Sequence, residues 1–323
     1  MASPFRRGAL PRAAEGARLP SARLALPGAA ADPSRAAVYA RVCGFDTTGP
    51  LPITYPHVLG FPLAMRLMAG RGFPLPVLGL VHTRIEITRH RDIRTDDRTE
   101  ISVHATGLRP HRRGTEVTMV TEARLDGELV WESGSRYLSR HPRPGRAEGT
   151  TADVTPARGG AGGRSGAAPA PGGRAARRSP ADDGPAKGGA PGPGCAGDGP
   201  VQGPPLLDEC ASWLLPADLG RRYGAASGDR NPIHLYAATA RAFGFPRAIA
   251  HGMWTFARCL AERNPRELRR AEAEFKAPVL LPGSVVYATA DTDTGDGVFE
   301  LRGTGREPRV HLIGRTATSV RPS

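Results

Sequence analysis

Between His141 and Pro205 the chain carries no Phe, Tyr or Trp, and Gly, Pro, Ala and Arg dominate. Such a segment cannot bury enough apolar surface to offset the backbone entropy of ordering it. It absorbs much of the excess in a 323-residue chain with 41 Gly and 32 Pro, and 141–205 is therefore expected to be a disordered linker. Two folded halves are left, 37–140 and 206–321. Residues 1–36, rich in Arg and interrupted by Pro4, Pro11 and Pro20, are expected to form a disordered N-terminal tail, the prolines working against the amphipathic helix of a transit peptide.

The net charge of +13 raises the question of a polyanion partner. Part of the surplus sits outside the folded halves: residues 1–36 hold six Arg against Glu15 and Asp32, and 141–204 hold eight Arg or Lys against five acids. The remainder suits a site that attracts phosphates without requiring nucleic acid, and the linker lacks the aromatic platforms that single-strand binding interleaves with basic residues. Cys43, Cys195, Cys210 and Cys259 form no C-x-x-C pair and show no metal-ligand spacing, as expected of reduced thiols in a cytoplasmic protein. No apolar run reaches the roughly 18 residues that span a bilayer.

Each half reads as helix followed by antiparallel strands. In the first, Thr54–Met65 has helical length despite Pro62, and strands fit Leu80–Thr88, Ile101–Thr106 and the period-two run Val117, Met119, Thr121, Ala123. Asp126-Gly127 supplies a hairpin turn into Glu128–Leu138. In the second, Tyr236–Phe243 is helix-like and Gly252–Glu262 is a long apolar helix. Strands fit Ala273–Pro278, Ser284–Asp291, Val298–Gly303 and Val310–Thr318, with turns at Pro282-Gly283 and Gly295-Asp296-Gly297. The repeated order implies duplication of one architectural unit.

The chemistry concentrates between Tyr223 and His251. Gly228-Asp229-Arg230-Asn231-Pro232-Ile233-His234 follows a short helix and places an acid and an imidazole five positions apart. Those positions share no helical face, but a turn through Asn-Pro can bring both side chains to one point for proton transfer. Downstream, Gly252 opens the long apolar helix. Its N–H lies at the positive end of the helix dipole, where an oxygen that gains negative charge is stabilised.

Ser-Gly-Asp-x-Asn-Pro-Ile-His, followed by Phe-Gly-Phe-Pro and Ile-Ala-His-Gly-Met, resembles the hydratase-2 motif of the MaoC-like dehydratases. Together with Thr54-Tyr55-Pro56-His57, Phe61-Pro62, Gly79-Leu80-Val81-His82, His111-Arg112-Arg113-Gly114 and Phe275-Lys276-Ala277-Pro278, the pattern resembles the double-hot-dog (3R)-hydroxyacyl-thioester dehydratases of actinobacteria. The resemblance implies an α+β double hot-dog, two antiparallel sheets each wrapped around a central helix. It also implies reversible conversion between trans-2-enoyl and (3R)-3-hydroxyacyl thioesters in fatty-acid metabolism. Asp229 and His234 would be the catalytic dyad, oriented by Asn231, with the Gly252 N–H as oxyanion hole. Gly228, Phe245, Ile249, His251 and Met253 would contact substrate. The carrier would be coenzyme A or acyl carrier protein, with no metal, no other cofactor, and room for a homodimer. The first half, with Tyr55-Pro56-His57 where the motif is expected, would be a degenerate partner shaping the acyl pocket.

Plainer readings stand beside these. Asp and Asn are common turn and cap residues, and His251 could merely pack at a helix start. His57 and His82 lack an acid partner and read as structural. The Met253, Trp254, Phe256, Leu260 stripe and Cys259 read as a buried helix face. Arg112, Arg113, Arg247 and Lys276 are candidates for carrier phosphates. The competing functions are a hot-dog acyl-CoA thioesterase, a non-catalytic acyl-binding subunit, and a polyanion-binding module.

Overall fold

The computed structural model describes residues 17–77, 79–141, 207–263, 266–291 and 296–320. The expected linker, apart from His141, and the first part of the expected tail lie outside them. In chain order the elements of the first half are β1 (Arg23–Ala29), α1 (Pro33–Cys43), α2 (Tyr55–Met68), β2 (Leu80–Arg89), β3 (Thr99–His111), β4 (Gly114–Leu125) and β5 (Glu128–Arg140). The second half contains β6 (Asp208–Leu215), α3 (Leu219–Ser227), α4 (Pro232–Leu235), α5 (Ala237–Ala242), α6 (Gly252–Ala261), β7 (Arg270–Phe275), β8 (Gly283–Asp291), β9 (Gly297–Gly303) and β10 (Val310–Ala317).

The strand order across the sheet is β1-β3-β4-β5-β2-β7-β10-β9-β8-β6. Read from each outer edge inward, β1-β3-β4-β5-β2 and β6-β8-β9-β10-β7 are the same topology, so the duplication expected from the pattern of elements is present in the connectivity. The two sheets meet edge to edge. β2 pairs antiparallel with β7, Ile85 opposite Ala273 and Ile87 opposite Ala271, and the four central residues are fully buried or nearly so. Ion pairs flank this seam: Arg84 reaches Glu272 (2.6 Å) and Glu274 (3.2 Å), and Arg270 pairs with Glu86. Joining the inner edges leaves β1 and β6, among the described residues, as the sheet edges, which limits the unpaired backbone available for misassociation.

The long helix α2 packs on β3 and β4, and α6 packs on β9 and β10. These are the central helices expected from Thr54–Met65 and Gly252–Glu262. Trp131 and Trp254 show how apolar bulk and polar satisfaction combine: each is buried, and their indole N–H groups donate to the carbonyls of Ile53 (2.8 Å) and Val42 (2.9 Å). The second of these bonds ties α6 to the helix α1 of the other half.

Several expectations are revised. The N-terminal tail does not extend to residue 36: β1 and the start of α1 lie within 17–36, with Asp32 capping α1 through the Arg35 N–H. Leu19 and Leu24 pack against a buried cluster that includes Val103, Val117 and Met119, so this segment gains a tertiary anchor that its composition conceals. Helix α1 continues to Cys43 and is capped by Gly44. β3 is longer than the alternating run Ile101–Thr106, and β7 begins before Ala273 and stops before Lys276-Ala277-Pro278, where the Lys276 and Ala277 N–H groups turn to the His311 carbonyl. Cys43, Cys210 and Cys259 are unpaired; Cys195 lies outside the described residues.

Candidate active site

Helix α3 ends at Gly228, whose φ of 82° places it in the left-handed region where an L side chain is strained, and its N–H closes on the Gly224 carbonyl (3.0 Å). This cap reverses the chain. The turn that follows is built by local side-chain bonds: Asp229 Oδ1 accepts from the Asn231 N–H (3.1 Å), and the Ser227 hydroxyl accepts from the Asp229 N–H (3.2 Å). Asn231 Oδ1 then accepts from the Ile233 N–H (3.4 Å), capping the four-residue α4 that carries His234. A second close approach holds α4 against α3: a Cβ on Gly220 would stand 1.9 Å from the His234 carbonyl oxygen, so only glycine fits there.

The segment Ala248–Ala250 is clipped between two neighbours. The Ile249 N–H donates to Ile233, the Ala250 N–H to Val279, and the Leu281 N–H to Ala248. The Ile249 carbonyl is thereby aimed at His234, and His234 Nδ1 lies 2.8 Å from it. A carbonyl only accepts, so Nδ1 carries the proton and Nε2 is left as the basic nitrogen of the neutral ring. Next in the chain, His251 stacks on His234 with centroids 3.7 Å apart. Its Nε2 donates to the Asp229 backbone carbonyl (3.0 Å) and lies 3.9 Å from Oδ2. His251 therefore sits behind the Asp229 and His234 pair, buttressed in turn by the Tyr223 ring at 4.8 Å.

Burial governs the electrostatics. It raises the Asp229 carboxyl, partly offset by the neighbouring His234 and by the Asn231 N–H, and it lowers His234, partly offset by Asp229. Both shifts favour the uncharged forms, carboxylic acid and free imidazole, over an ion pair. His251 is pushed well below its ordinary value by burial, with a further contribution from His234, and is neutral.

Asp229, His234 and His251 offer ligand atoms within 4.8 Å of one another. One nitrogen of each ring is committed to a backbone carbonyl. The rings are nearly parallel, inclined by 25°, whereas an ion bound by two imidazoles lies in both ring planes about 2.0–2.1 Å from each nitrogen. This geometry suits a proton-transfer pair better than a metal centre.

These groups face a cavity of about 560 Å³, a size that accommodates a small-molecule ligand. The residues expected to form the dyad, the oxyanion hole and the substrate contacts all line it: Gly228, Asp229, Asn231, His234, Phe245, Ile249, His251, Gly252 and Met253. Their placement differs in kind. The exposed Asn231 side chain caps α4 instead of touching the dyad; only its backbone N–H reaches Asp229. Gly252 is the first residue of α6, so its N–H has no intrahelical acceptor, and the Phe275 ring packs where a Cβ would be. Of the basic residues expected to meet phosphates, only Lys276 lines the cavity; Arg140 and Arg230 line it as well, while Arg112, Arg113 and Arg247 do not. His57, His82 and Tyr137 of the first half also line it, although the first two read as structural in the sequence. Tyr223, which braces His251, carried no motif beyond its proximity to Gly228, and Ser227, which braces Asp229, opens the Ser-Gly-Asp motif but had no role legible in the sequence.

The equivalence of the two halves is also corrected. Gly44, at φ 85°, caps α1 as Gly228 caps α3. By element order, Gly44–Thr54 corresponds to Gly228–His251, and Phe45 follows its glycine where Asp229 follows Gly228. Tyr55-Pro56-His57 instead opens the central helix α2, corresponding to Gly252-Met253-Trp254.

A duplicated antiparallel sheet, each copy wrapped around a central helix, defines a double-hot-dog protein, here with an acid–imidazole pair and a helix N-terminus facing one cavity. A family model described as a MaoC-like domain matches residues 211–306. 3-Hydroxyacyl-thioester dehydratase X of Mycobacterium tuberculosis is 32% identical over 298 residues, covering 91% of this chain and 88% of that protein. The chain belongs to this family of MaoC-like 3-hydroxyacyl-thioester dehydratases. The crystal structure of HtdX from the same organism superposes with a TM-score of 0.68 at 27% identity, covering 92% of this chain and 99% of that one. A MaoC-like dehydratase from Phytophthora capsici shares the fold, with a TM-score of 0.64 at 15% identity over 94% of this chain and 97% of its own. Among the described residues no helix is long and apolar enough to cross a membrane.

Proposed function

We propose that the chain catalyses reversible dehydration of (3R)-3-hydroxyacyl thioesters to trans-2-enoyl thioesters, with Asp229 and His234 as the catalytic pair. The observation that carries this reading is the His234 Nδ1 bond to Ile249, which leaves Nε2 basic beside a carboxyl whose hold on a proton burial strengthens. In dehydration, His234 Nε2 removes the proton at C2 while the thioester oxygen gains charge at the Gly252 N–H. Asp229 protonates the hydroxyl leaving C3, and water departs. The pair ends as carboxylate and imidazolium and resets by returning the proton from His234 to Asp229. Hydration runs the same steps backwards. His251 acts as a positioning residue through the Asp229 carbonyl.

The reaction moves a proton and water but no electrons, so the chain's own groups suffice without a redox cofactor or a metal. Exposed Arg140, Arg230 and Lys276 at the cavity support a phosphate-bearing pantetheine carrier, coenzyme A or acyl carrier protein. The proposed setting is cytoplasmic fatty-acid metabolism.

Chiral analysis of the product from a short and a long trans-2-enoyl-CoA tests the reading. The (3R) alcohol is expected from the wild type. Full turnover in both Asp229→Asn and His234→Ala would sink the mechanism. Because activity requires one proton shared by the pair, the rate should fall on the acid side when a second proton binds and on the alkaline side when the last is lost, giving a bell-shaped pH profile.

A further inference from the structure

The cavity wall opposite the motif is not uniformly apolar. His57, in the first turn of α2, and His82, in β2, both line it, with ring centroids 6.3 Å apart. Tyr137 of β5 stacks on His82 at 4.6 Å. Neither histidine has a part in the proton transfers above. His57 Nδ1 and His82 Nε2 are nevertheless buried without a hydrogen-bond partner. An unmet buried polar group costs on the order of tenfold in a folding equilibrium, and two of them in one ligand cavity call for an explanation.

The chemistry of the wall restricts what could satisfy it. Burial lowers His57 to about 4 and His82 to about 3, the second lowered further by the first, so both rings are neutral near pH 7. A neutral imidazole offers one donor and one acceptor, which complements a hydroxyl or a carbonyl. A carboxylate would be the poorer match, because the two neutral imidazoles and the Tyr137 phenol bring no positive charge of their own. The wall also adjoins the groups proposed to do the chemistry. Phe275 touches His82 at 4.8 Å and packs against Gly252, and the charge of Asp229 is felt at Tyr137.

We infer that His57, His82 and Tyr137 form a subsite for an uncharged oxygen, a hydroxyl or carbonyl, carried by the acyl chain beyond C3, so that oxygenated acyl thioesters are preferred over plain alkyl ones of equal length. The inference rests on the hydratase reading above.

The test compares kcat/KM of the full chain for a plain trans-2-enoyl-CoA with a series of equal length bearing a hydroxyl at successive carbons beyond C3. One positional isomer should exceed the plain chain by on the order of tenfold, the selectivity that a hydrogen-bonding pocket readily supplies. That ratio should collapse toward one in His57→Phe and in His82→Phe. If no isomer exceeds the plain chain in the wild type, the subsite is overturned whether or not the variants fold, and the nitrogens are met by water only. A ratio that persists in both variants also overturns it. So does a loss that is equal for all substrates, which would place the histidines on the shared thioester portion. Absence of turnover on every substrate would instead overturn the hydratase reading, and the subsite with it.

Discussion

The two halves share a strand order and a left-handed glycine at the end of their first helix, yet diverge in the stretch that follows. In the second half, Gly228 leads into Asp229, the short helices α4 and α5, and His251 before the central helix begins. In the first, Gly44 leads into Phe45, which is buried, and the chain reaches the central helix without an intervening helix. The first half uses the saved length differently: α2 runs for 14 residues against 10 for α6, and its Val58, Phe61, Met65 and Met68 line the cavity. On the proposed function, one half holds the proton-transfer groups and the other builds the wall that an acyl chain would meet. An apolar side chain after the glycine packs the core, whereas an acid there must be held by the Asn231 N–H and a partner imidazole.

The sharpest test of this division is removal of the acid or the imidazole. Asp229→Asn and His234→Ala should each lower kcat by about 10²- to 10⁴-fold, the usual worth of general acid–base groups, with the fold retained by circular dichroism. A rate that stays near wild type would mean that the halves do not divide labour as described.

The reciprocal change, Phe45→Asp, should create no second site, because neither α4 nor an imidazole stands beside it. It should cost about 3–5 kcal/mol of stability from lost aromatic burial, as read by denaturant unfolding. A gain in turnover would overturn the equivalence drawn between Phe45 and Asp229.

The histidines of the wall predict a pH effect of smaller size. His57 titrates near 6.5 when unfolded and near 4 when folded, so between these values the unfolded chain binds more protons and stability falls as pH drops. In His57→Phe, the decline of Tm between pH 6.5 and 4 should be shallower than in the wild type. An unchanged slope would show that His57 is not held neutral by burial. Least of all, Asn231→Ala should cost about 1 kcal/mol or less through loss of the α4 cap, with a several-fold drop in kcat at most. A loss as large as that of Asp229→Asn would mean that the Asn231 side chain acts on substrate.

Local chemistry made much of this legible in the sequence. Asp126-Gly127 is a hairpin turn, with φ of 50° and 83°, because those residue types tolerate that backbone. The Asp229–His234 turn is readable for the same reason, its bonds spanning two or three residues. The two central helices announced themselves as long apolar stretches. The strands β1 and β6 did not: each lies at a sheet edge with mostly exposed side chains, so neither shows the alternation that burial on one face imposes.

What the sequence by itself determined is the duplicated unit, the motif and the reaction class they resemble. Only the tertiary structure decided that the inner edges join through β2 and β7, that Phe45 takes the place in the first half that Asp229 takes in the second, and that His251 braces the dyad from behind. It also brought Arg140 and Arg230 to the cavity and left Arg112, Arg113 and Arg247 away from it. Each of these depends on residues far apart in the chain meeting through packing and backbone pairing, and no short-range preference encodes which of them will meet.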